Sequence, residues 1–320
     1  MALCFTPESA SNLRYHGSGS AKLEPVRLSD GRYAYSEAAL TDRRFAVQRP
    51  LLKAGSVEDD STLTFLGAEE INDVDSGVIR FTIDGHACYL SAEMAAHAFS
   101  IPATNVYRFE LRKDEANWYD LDNNNNRRSE VGMFNSVESF AKGETVWWSS
   151  SFVIGPDHEP FDVGGTSHNA LVQWKPMTFP ANGGHPVMVA NLSGGNFEIY
   201  TRSDDASPPN NKVTHYSAPR PVDGIVHNLV LTATLGEQAI DGGHITVWLD
   251  GVQIVDVDTS IGHYNEPNTT EYMYTRFGMY QTNVPSPCTI YHANPEWGTA
   301  DLSARIATPL AVTAPPGGWV

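Results

Sequence analysis

The segment from Glu271 to Gln281, EYMYTRFGMYQ, brings three phenols and a guanidinium together in one short stretch. Side chains alternate between the two faces of a β-strand, so one face of this segment consists of Met273, Thr275, Phe277 and Met279. The other face consists of Tyr272, Tyr274, Arg276, Gly278 and Tyr280. An arginine fork binds carboxylates in a bidentate manner, and a phenol offers both a ring and a hydroxyl. This face therefore suits an anionic ligand that is rich in hydroxyl groups.

Three other segments repeat this arrangement, with apolar residues on one face and charged, amide or phenol groups on the other. The polar faces of YRFELRK, LVQWKP and NFEIYTR consist of Arg108, Glu110, Arg112, Gln173, Lys175, Glu198, Tyr200 and Arg202. A solvated outer face is the ordinary explanation for such alternation in an antiparallel sheet. The recurrence of arginine and tyrosine favours a binding surface instead. If these strands share one sheet, their polar faces are continuous.

Short alternating segments bounded by Gly, Pro, Asn and Asp dominate the chain, which predicts an all-β sandwich or jelly roll. Asp250-Gly251 lies between two alternating segments and predicts a tight hairpin. The one helical candidate is SAEMAAHAF, Ser91 to Phe99, where Ser91 could cap the helix.

The domain organisation follows from a change in pattern near Gly77. Residues 1–76 are polar and weakly periodic, and we predict an N-terminal extension or docking segment that contacts a virion or other copies of the chain. Residues 77–312 are predicted to form the β domain, and residues 313–320 a tail. Three cysteines, Cys4, Cys88 and Cys288, suit neither a disulfide framework nor a metal site.

The formal net charge of −17 argues against nucleic-acid binding and against electrostatic attachment to an anionic membrane. No apolar run approaches the length that spans a bilayer. The start of the sequence lacks the features of a Sec signal peptide. We therefore expect an extracellular or virion-associated protein that is released by another route or processed.

One loop, YDLDNNNNRRSE, places Asp and Asn at every second position from Asp120 to Asn126, as a calcium loop would. Asn125 stands where such a loop needs glycine, and Val131 stands where it needs glutamate. A surface turn is favoured, because asparagine readily adopts turn conformations. We predict no metal and no other cofactor, with calcium in this loop as the alternative.

Four segments together resemble the alginate-lyase-type, heparin-lyase-I-like and glucuronan-lyase-like jelly rolls. YTRFGMYQ is similar to their tyrosine–lysine–glycine–tyrosine strand, RRSEV and YRFELR to their Arg-x-Glu strands, and VQWKP to their Gln-x-His strand. The similarity runs from about Gly77 to Leu310, with the motifs in the family's order. It implies a concanavalin-A-like jelly roll of two curved antiparallel sheets with the substrate in the concave face.

The resemblance also implies β-elimination on an acidic, uronate-containing polysaccharide. Gln173 and Arg128 match the groups that bind the uronate carboxylate, and Tyr280 matches the tyrosine that acts as acid and often also as base. The predicted substrate-binding residues are Arg276, Tyr274, Tyr272, Arg108, Arg112, Tyr200 and Arg202. Gly278 would keep the surface low so that a sugar ring can approach the backbone.

Lys175 stands where the family carries histidine, and this departure leaves several roles open. Lysine acts as a base only when its pKa is lowered, for instance by burial or by neighbouring cations. Alternatively, Lys175 binds a carboxylate, and Tyr280 or a histidine such as His168 transfers the proton. A third alternative is a relative that binds glycans without cleaving them.

The leading prediction is a polysaccharide lyase. The runner-up is a non-catalytic, capsule-adsorbing spike or tail protein of a virion, and a structural jelly roll whose polar faces make subunit contacts is a third candidate. Glycoside hydrolysis is disfavoured because it needs a close pair of carboxyl groups. We expect Glu110, Glu130 and Glu198 instead to lie beside arginines, which would hold them ionised.

Overall fold

The computed structural model describes side chains at residues 88–90, 98–112, 128–133, 140–156, 169–176, 185–203, 212–262, 273–280 and 288–319. It adds the backbone of the strands outside those ranges. The first six strands are β1 (Leu3–Phe5), β2 (Leu13–Tyr15), β3 (Val26–Arg27), β4 (Tyr33–Tyr35), β5 (Phe45–Val47) and β6 (Leu63–Phe65). Strands β1, β4 and β3 form one small sheet, and β2 pairs with β5.

The strands that follow build two large sheets. In chain order they are β7 (Ile79–Ile83), β8 (His86–Ala92), β9 (Phe99–Ala103), β10 (Val106–Leu111), β11 (Asn126–Met133), β12 (Ser139–Ala141), β13 (Thr145–Ile154), β14 (His168–Pro176), β15 (Met188–Ser193), β16 (Asn196–Thr201), β17 (Val213–Pro219), β18 (His227–Thr234), β19 (His244–Leu249), β20 (Val252–Asp258), β21 (Tyr272–Thr282) and β22 (Cys288–Gly298). Two helical turns, α1 (Gln238–Asp241) and α2 (Ala304–Ala307), complete the described elements. Neither is long enough to cross a membrane, and no other helix in the described ranges is.

The ten-stranded sheet has the order β17-β16-β15-β14-β21-β11-β8-β7-β6, with β12 paired to β21. The seven-stranded sheet has the order β20-β19-β18-β13-β22-β10-β9. Neighbouring strands in both sheets are antiparallel, as for β14 and β21 or β13 and β22. Because β6 pairs with β7, residues before Gly77 add a strand to the ten-stranded sheet. The proposed domain boundaries stay predictions.

The core lies between the two large sheets. Phe277 from β21 meets Phe109 from β10 and Trp148 from β13, with ring centroids 5.8 and 5.3 Å apart. All three side chains are fully buried. Buried aromatic rings contribute large apolar areas and prefer such tilted and edge-to-face contacts, so these contacts fix one sheet on the other. The predicted all-β sandwich of two antiparallel sheets is confirmed.

The predicted hairpin is also observed. Asp250 and Gly251 connect β19 to β20 and have φ values of 52° and 78°. Two consecutive residues with positive φ make the turn whose twist matches that of the flanking strands, which explains the aspartate–glycine pair at this position.

The helix predicted from Ser91 to Phe99 is wrong at both ends. Ser91 and Ala92 belong to β8, where they pair with Glu130 and Ser129 of β11, and Phe99 begins β9. Residues 93–97 lie outside the described residues. Pairing with β11 in the sheet outweighs the helix propensity of alanine, methionine and glutamate, which is a weak local preference.

Candidate functional site

The site face is the face of the ten-stranded sheet that is turned away from the core. At the centre of this sheet, β21 lies between β11 and β14. Its core-facing residues Met273, Thr275, Phe277 and Met279 are fully buried, as the alternation predicts. Tyr274, Arg276 and Tyr280 point to the site face. The register pairs Gln173 with Arg276 and Lys175 with Tyr274.

Four side chains from β11, β14 and β21 form one hydrogen-bonded group. This group, the Glu130 cluster, consists of Glu130, Arg128, Gln173 and Arg276. The Glu130 carboxylate accepts hydrogen bonds from Nε2 of Gln173, from Nη1 of Arg128 at 3.2 Å and from Nη1 of Arg276 at 3.4 Å. All four side chains are buried. Two guanidinium groups against one carboxylate leave one net positive charge. The centre of the site face is thus a desolvated cationic group in a strongly acidic protein, and such a group attracts an anion.

Aromatic rings flank both arginines of the cluster. The Arg128 guanidinium carbon lies 4.4 Å from the centroid of the Tyr280 ring. The guanidinium of Arg276 lies between Tyr89 and Tyr274, at 5.2 and 5.4 Å. Cation–π contacts of this kind are strongest where water is excluded. They fix the orientation of each guanidinium group.

Tyr89 is a site-face residue that the sequence patterns did not reveal. It lies on β8 opposite Gly132 of β11, and it is hydrogen-bonded to Tyr274. A Cβ atom at position 132 would overlap the Tyr89 ring, so Gly132 leaves the space that this ring occupies. Burial raises the pKa of Tyr89 well above its ordinary value, and the charge of Arg276 only partly offsets this effect. Tyr89 therefore remains protonated and supports Arg276.

Gly278 has a different reason for being glycine from the one we expected. Its φ is +127°, in a region that is strained for other residues. A Cβ atom there would lie 2.5 Å from the carbonyl oxygen of Ser129 and 2.9 Å from the ring of Phe109 in the core. The constraint is close packing with β11 and with the opposite sheet.

A second cationic group, the Tyr200 patch, consists of Tyr200, Arg202 and Lys212. The Arg202 guanidinium carbon lies 4.9 Å from the centroid of the Tyr200 ring, and Nζ of Lys212 lies 4.7 Å from it. Lys212 also donates a hydrogen bond to Glu198 at 2.6 Å. Burial raises the pKa of Tyr200, so its hydroxyl is not suited to proton transfer. We expected an arginine beside Glu198. In the structure, Lys212 binds its carboxylate.

Two predicted residues do not join the site face. Arg108 lies on β10 of the seven-stranded sheet, and Arg112 directly follows that strand. Both form salt bridges with Glu110, and Nη2 of Arg108 lies 2.6 Å from Oε2 of Glu110. Arg108 also donates to the hydroxyl of Tyr291 at 3.3 Å. Burial opposes ionisation of Glu110, but the two arginines outweigh it and hold its pKa below the ordinary value. The polar face of β10 is therefore not continuous with those of β14 and β16, because β10 belongs to the other sheet.

Other predicted site residues are placed only in part. Lys175 is partly exposed on the site face beside Tyr274. The side chains of Tyr272 and His168 lie outside the described residues, although both belong to strands of this sheet. The calcium-loop candidate from Asp120 to Asn125 also lies outside them. Among the described side chains, no group of three or more His, Cys, Asp or Glu is arranged to hold a metal ion.

Glu130 and Glu198 are separated by four strand spacings, from β11 to β16. At about 4.8 Å per spacing this is about 19 Å between their strands. A glycosidase needs two carboxyl groups within about 5 to 9.5 Å of each other. These two carboxylates therefore cannot act as such a pair.

A family model described as polysaccharide lyase matches residues 98–295, which is more than half of the chain. No curated protein matches the sequence. The Trichoderma reesei endo-β-1,4-glucuronan lyase structure is 14% identical, with a TM-score of 0.45, and the match covers 67% of this chain and 87% of that chain.

Two alginate lyase structures are similar to about the same degree. The one from Pseudomonas aeruginosa is 10% identical with a TM-score of 0.43, covering 64% of this chain and 87% of its own. The one from Zobellia galactanivorans is 13% identical with a TM-score of 0.44, covering 66% and 83%. The family match spans β10, β11, β14 and β21, the four strands whose motifs suggested the resemblance. This chain belongs to the polysaccharide lyase family.

Proposed function

We propose that the protein cleaves an acidic, uronate-containing polysaccharide by β-elimination at the site face. The observation that carries this proposal is the Glu130 cluster, in which an amide and two guanidinium groups converge beside Tyr280. The glucuronan and alginate lyases to which the chain is similar act on polymers of uronates by their names, which agrees with the proposal.

The first requirement of this reaction is to neutralise the uronate carboxylate. The proton to be removed lies next to that carboxylate, and an ionised carboxylate resists further negative charge on its neighbour. Gln173, Arg128 and Arg276 supply N–H donors in fixed positions, since Glu130 binds all three. Donors that are already oriented stabilise developing charge without reorganisation, and the loss of one such donor costs about 3 kcal/mol in the transition state.

The second requirement is proton transfer. Tyr280 is partly exposed on the site face and lies next to Arg128. A tyrosine there would protonate the leaving glycosidic oxygen, and the negative charge left on its oxygen would lie beside the Arg128 guanidinium. A positioned acid or base contributes about 10²- to 10⁴-fold to the rate.

The base that removes the sugar proton is Tyr280 itself or Lys175. Both residues lie on the site face, on neighbouring strands β21 and β14. Tyr280 can act as both base and acid only if the proton to be removed and the glycosidic oxygen to be protonated lie on the same side of the sugar. Lys175→Gln lowers kcat where lysine is the base, whereas it mainly raises KM where lysine only binds a carboxylate.

Binding without cleavage is the second candidate, and the observation that favours it is Lys175 in the place of the family histidine. The Glu130 cluster and the Tyr200 patch would then hold an acidic glycan, and no proton would be removed. The two candidates share the ligand and differ in the product.

The test is to incubate the protein with alginate, glucuronan, heparin-like and bacterial capsular polysaccharides and follow the ultraviolet absorbance of the unsaturated uronide. Tyr280→Phe and Gln173→Ala are assayed in parallel. We expect product with the wild type and at least a 100-fold lower rate with each variant. Binding without product supports the second candidate, and the absence of any binding contradicts both.

A further inference from the structure

The outer face of the seven-stranded sheet, which is turned away from the core, is covered in part by the chain that follows β22. Arg305 of α2 binds both carboxylate oxygens of Glu296, at 2.5 and 2.9 Å, and its carbonyl accepts a hydrogen bond from Nδ2 of Asn228 at 3.1 Å. Further along, the ring of Trp319 packs against Tyr291 with centroids 5.0 Å apart. The C-terminal segment therefore covers apolar surface on β10, β13 and β22.

Two tryptophans on the same outer face remain partly exposed, and we call them the tryptophan pair: Trp147 of β13 and Trp248 of β19. They alternate with the fully buried core residues Trp148 and Val247, so their side chains point outward. The two indole rings are parallel to within 6°, with centroids 6.3 Å apart. At this separation the rings are offset rather than eclipsed. Exposed aromatic surface of this kind is typical of a binding site.

Two oriented carboxylates lie beside the tryptophan pair. Asp256 of β20 lies in the register row that leads from Trp147 through Thr232 and Thr246. His244 contacts Asp258 through Nδ1 at 2.7 Å and Asp256 through Nε2 at 2.9 Å. The side chains of Asp256 and Asp258 are nevertheless 52% and 71% exposed. Because a carboxylate has about four acceptor positions, both can still accept hydrogen bonds from the hydroxyls of a ligand.

The charge of this surface selects against a uronate. Strands β13, β18, β19 and β20 contain no lysine or arginine. The nearby Arg305 is bound to Glu296, and His244 is shared by two aspartates. A ligand carboxylate would therefore meet Asp256 and Asp258, and like charges placed together cost binding energy. The hydroxyls of an uncharged sugar instead donate to these aspartates, while its C–H face packs on an indole ring.

We propose that the tryptophan pair, with Asp256 and Asp258, is a second glycan-binding site and that its ligand is an uncharged polysaccharide. The pair lies on the opposite side of the sandwich from the Glu130 cluster, since the two belong to the outer faces of different sheets. Both surfaces can therefore be occupied at once. The second site does not depend on the lyase activity. It would hold the protein on a neutral glycan while the site face acts on an acidic one.

The test is affinity electrophoresis in gels that contain one of four uncharged polymers: hydroxyethyl cellulose, laminarin, galactomannan or amylopectin. The variants of the pair are Trp147→Ala and Trp248→Ala. Their matched control is Trp319→Ala, which removes one indole from the covered part of the same face. A further variant, Asp256→Ala with Asp258→Ala, changes only exposed side chains and keeps the test valid if a tryptophan variant fails to fold. Thermal unfolding is measured for every protein.

We expect at least one of the four polymers to retard the wild type. A buried aromatic ring contributes a large part of the energy of an interface, so each tryptophan variant should bind about tenfold more weakly or worse. The aspartate variant should also bind more weakly, whereas Trp319→Ala should bind like the wild type. No retardation by any polymer, an equal loss in Trp319→Ala, or unchanged binding in the tryptophan and aspartate variants would overturn the site.

Competition and lyase assays separate this site from the site face. Saturating alginate should not displace the uncharged polymer, and Trp248→Ala should form product from alginate or glucuronan at the rate of the wild type. Displacement by alginate would place the uncharged polymer on the site face and overturn the proposal. A wild type that forms no product but binds the uncharged polymer through the tryptophan pair contradicts the lyase activity and supports the second site.

A second copy of the chain is the other occupant to test. Sedimentation velocity is measured for the wild type and for Trp248→Ala. We expect the same sedimentation coefficient for both proteins. A wild-type dimer that Trp248→Ala converts to a monomer would show that the tryptophan pair is an interface between copies, and it would overturn the glycan site.

Discussion

At the scale of single residues, the site depends on how Glu130 is surrounded. A carboxylate that is 1% exposed is costly to bury unless charged partners and donors compensate. Arg128, Arg276 and Gln173 provide that compensation. Each of the three is oriented in return, so the residue that holds the cluster together need not touch the substrate.

We predict that Glu130→Gln lowers both stability and activity, because it removes the charged carboxylate that both buried guanidinium groups bind. The loss of one partner from a buried ion pair costs about 3–5 kcal/mol. Urea unfolding should show a stability loss of that order, and the rate of product formation should fall by at least tenfold.

The control for this prediction is Glu296→Gln, which breaks the partly exposed pair of Glu296 with Arg305. An exposed pair contributes about 0–1 kcal/mol, so this variant should keep stability and activity close to the wild type. Equal losses in the two variants would show that the Glu130 cluster has no special role.

The predicted residues at the centre of the site, Arg128, Gln173, Arg276 and Tyr280, could be proposed from strand alternation and motif order. Glu130 as the common acceptor and Tyr89 as the support of Arg276 could not. Both depend on the register between strands that are distant in sequence, such as β8 with β11. A single strand's alternation contains no information on that register. Gly132 was the available signal, since a glycine in a strand leaves space for a large cross-strand neighbour.

At the scale of elements, irregular strand positions shape the sandwich. β22 was not recognised from sequence because Pro295 interrupts it and proline is rare inside sheets. In the structure Asn294 has a φ of 49° and the register with β13 shifts between Ser149 and Ser151. Proline is tolerated at such a bulge, so β22 remains a central strand.

The prediction that Arg108 and Arg112 bind the substrate together with the β21 residues failed for a similar reason. The outer faces of both sheets show the same polar alternation, and Arg108 with Glu110 has the same pattern as Arg128 with Glu130. Only the order of strands in the two sheets shows which of these Arg–Glu pairs lies on the site face. The order depends on packing across the whole domain, which local sequence does not specify.

We predict that Gly278→Ala destabilises the protein by about 2–4 kcal/mol, because it combines backbone strain with a clash against Ser129 and Phe109. The matched control is Gly194→Ala, which has a positive φ of 55° but open space around it. Strain alone costs about 1–2 kcal/mol there. Urea unfolding of both variants is the measurement, and equal losses would contradict the role of close packing at position 278.

His292 of β22 predicts a pH dependence of stability. It is fully buried, and burial lowers its pKa from 6.5 to about 3. Between these values the unfolded chain binds a proton that the folded chain does not, so stability falls as pH falls through this window. From pH 6.5 to pH 5 the loss is about 2 kcal/mol.

The measurement is urea unfolding at pH 7 and pH 5 for the wild type and His292→Asn. The variant should lose about 2 kcal/mol less on acidification, whatever its absolute stability. Substitution of the exposed His185 by asparagine is the control and should leave the difference unchanged. An equal pH effect in wild type and His292→Asn would contradict the neutral buried imidazole.

At the scale of the whole molecule, the proposed function requires an acidic protein to bind an acidic polymer. The net charge of −17 repels a polyuronate at long range, whereas the Glu130 cluster and the Tyr200 patch attract it at short range. Salt screens exposed charges beyond a Debye length of about 10 Å at 0.1 M and acts much less on buried groups.

We therefore predict that kcat/KM for a long polyuronate rises when ionic strength increases from about 10 to about 150 mM, since screening removes the long-range repulsion first. Initial rates at low substrate concentration measure this quantity. The comparison is a short oligouronate, which extends less far over the acidic surface and should respond less. A steady fall of kcat/KM with salt for the polymer would show that attraction dominates at all distances.

The central claim is that the site face removes a proton and breaks the glycosidic link without adding water. The mass spectrum of the fragments from the polysaccharide that the wild type cleaves tests it most directly. Elimination predicts a new non-reducing end that is unsaturated and one water lighter than a hydrolysis product, and no such fragment with Tyr280→Phe. Fragments of full hydrolytic mass, or unsaturated fragments at an undiminished rate with Tyr280→Phe, would contradict the claim.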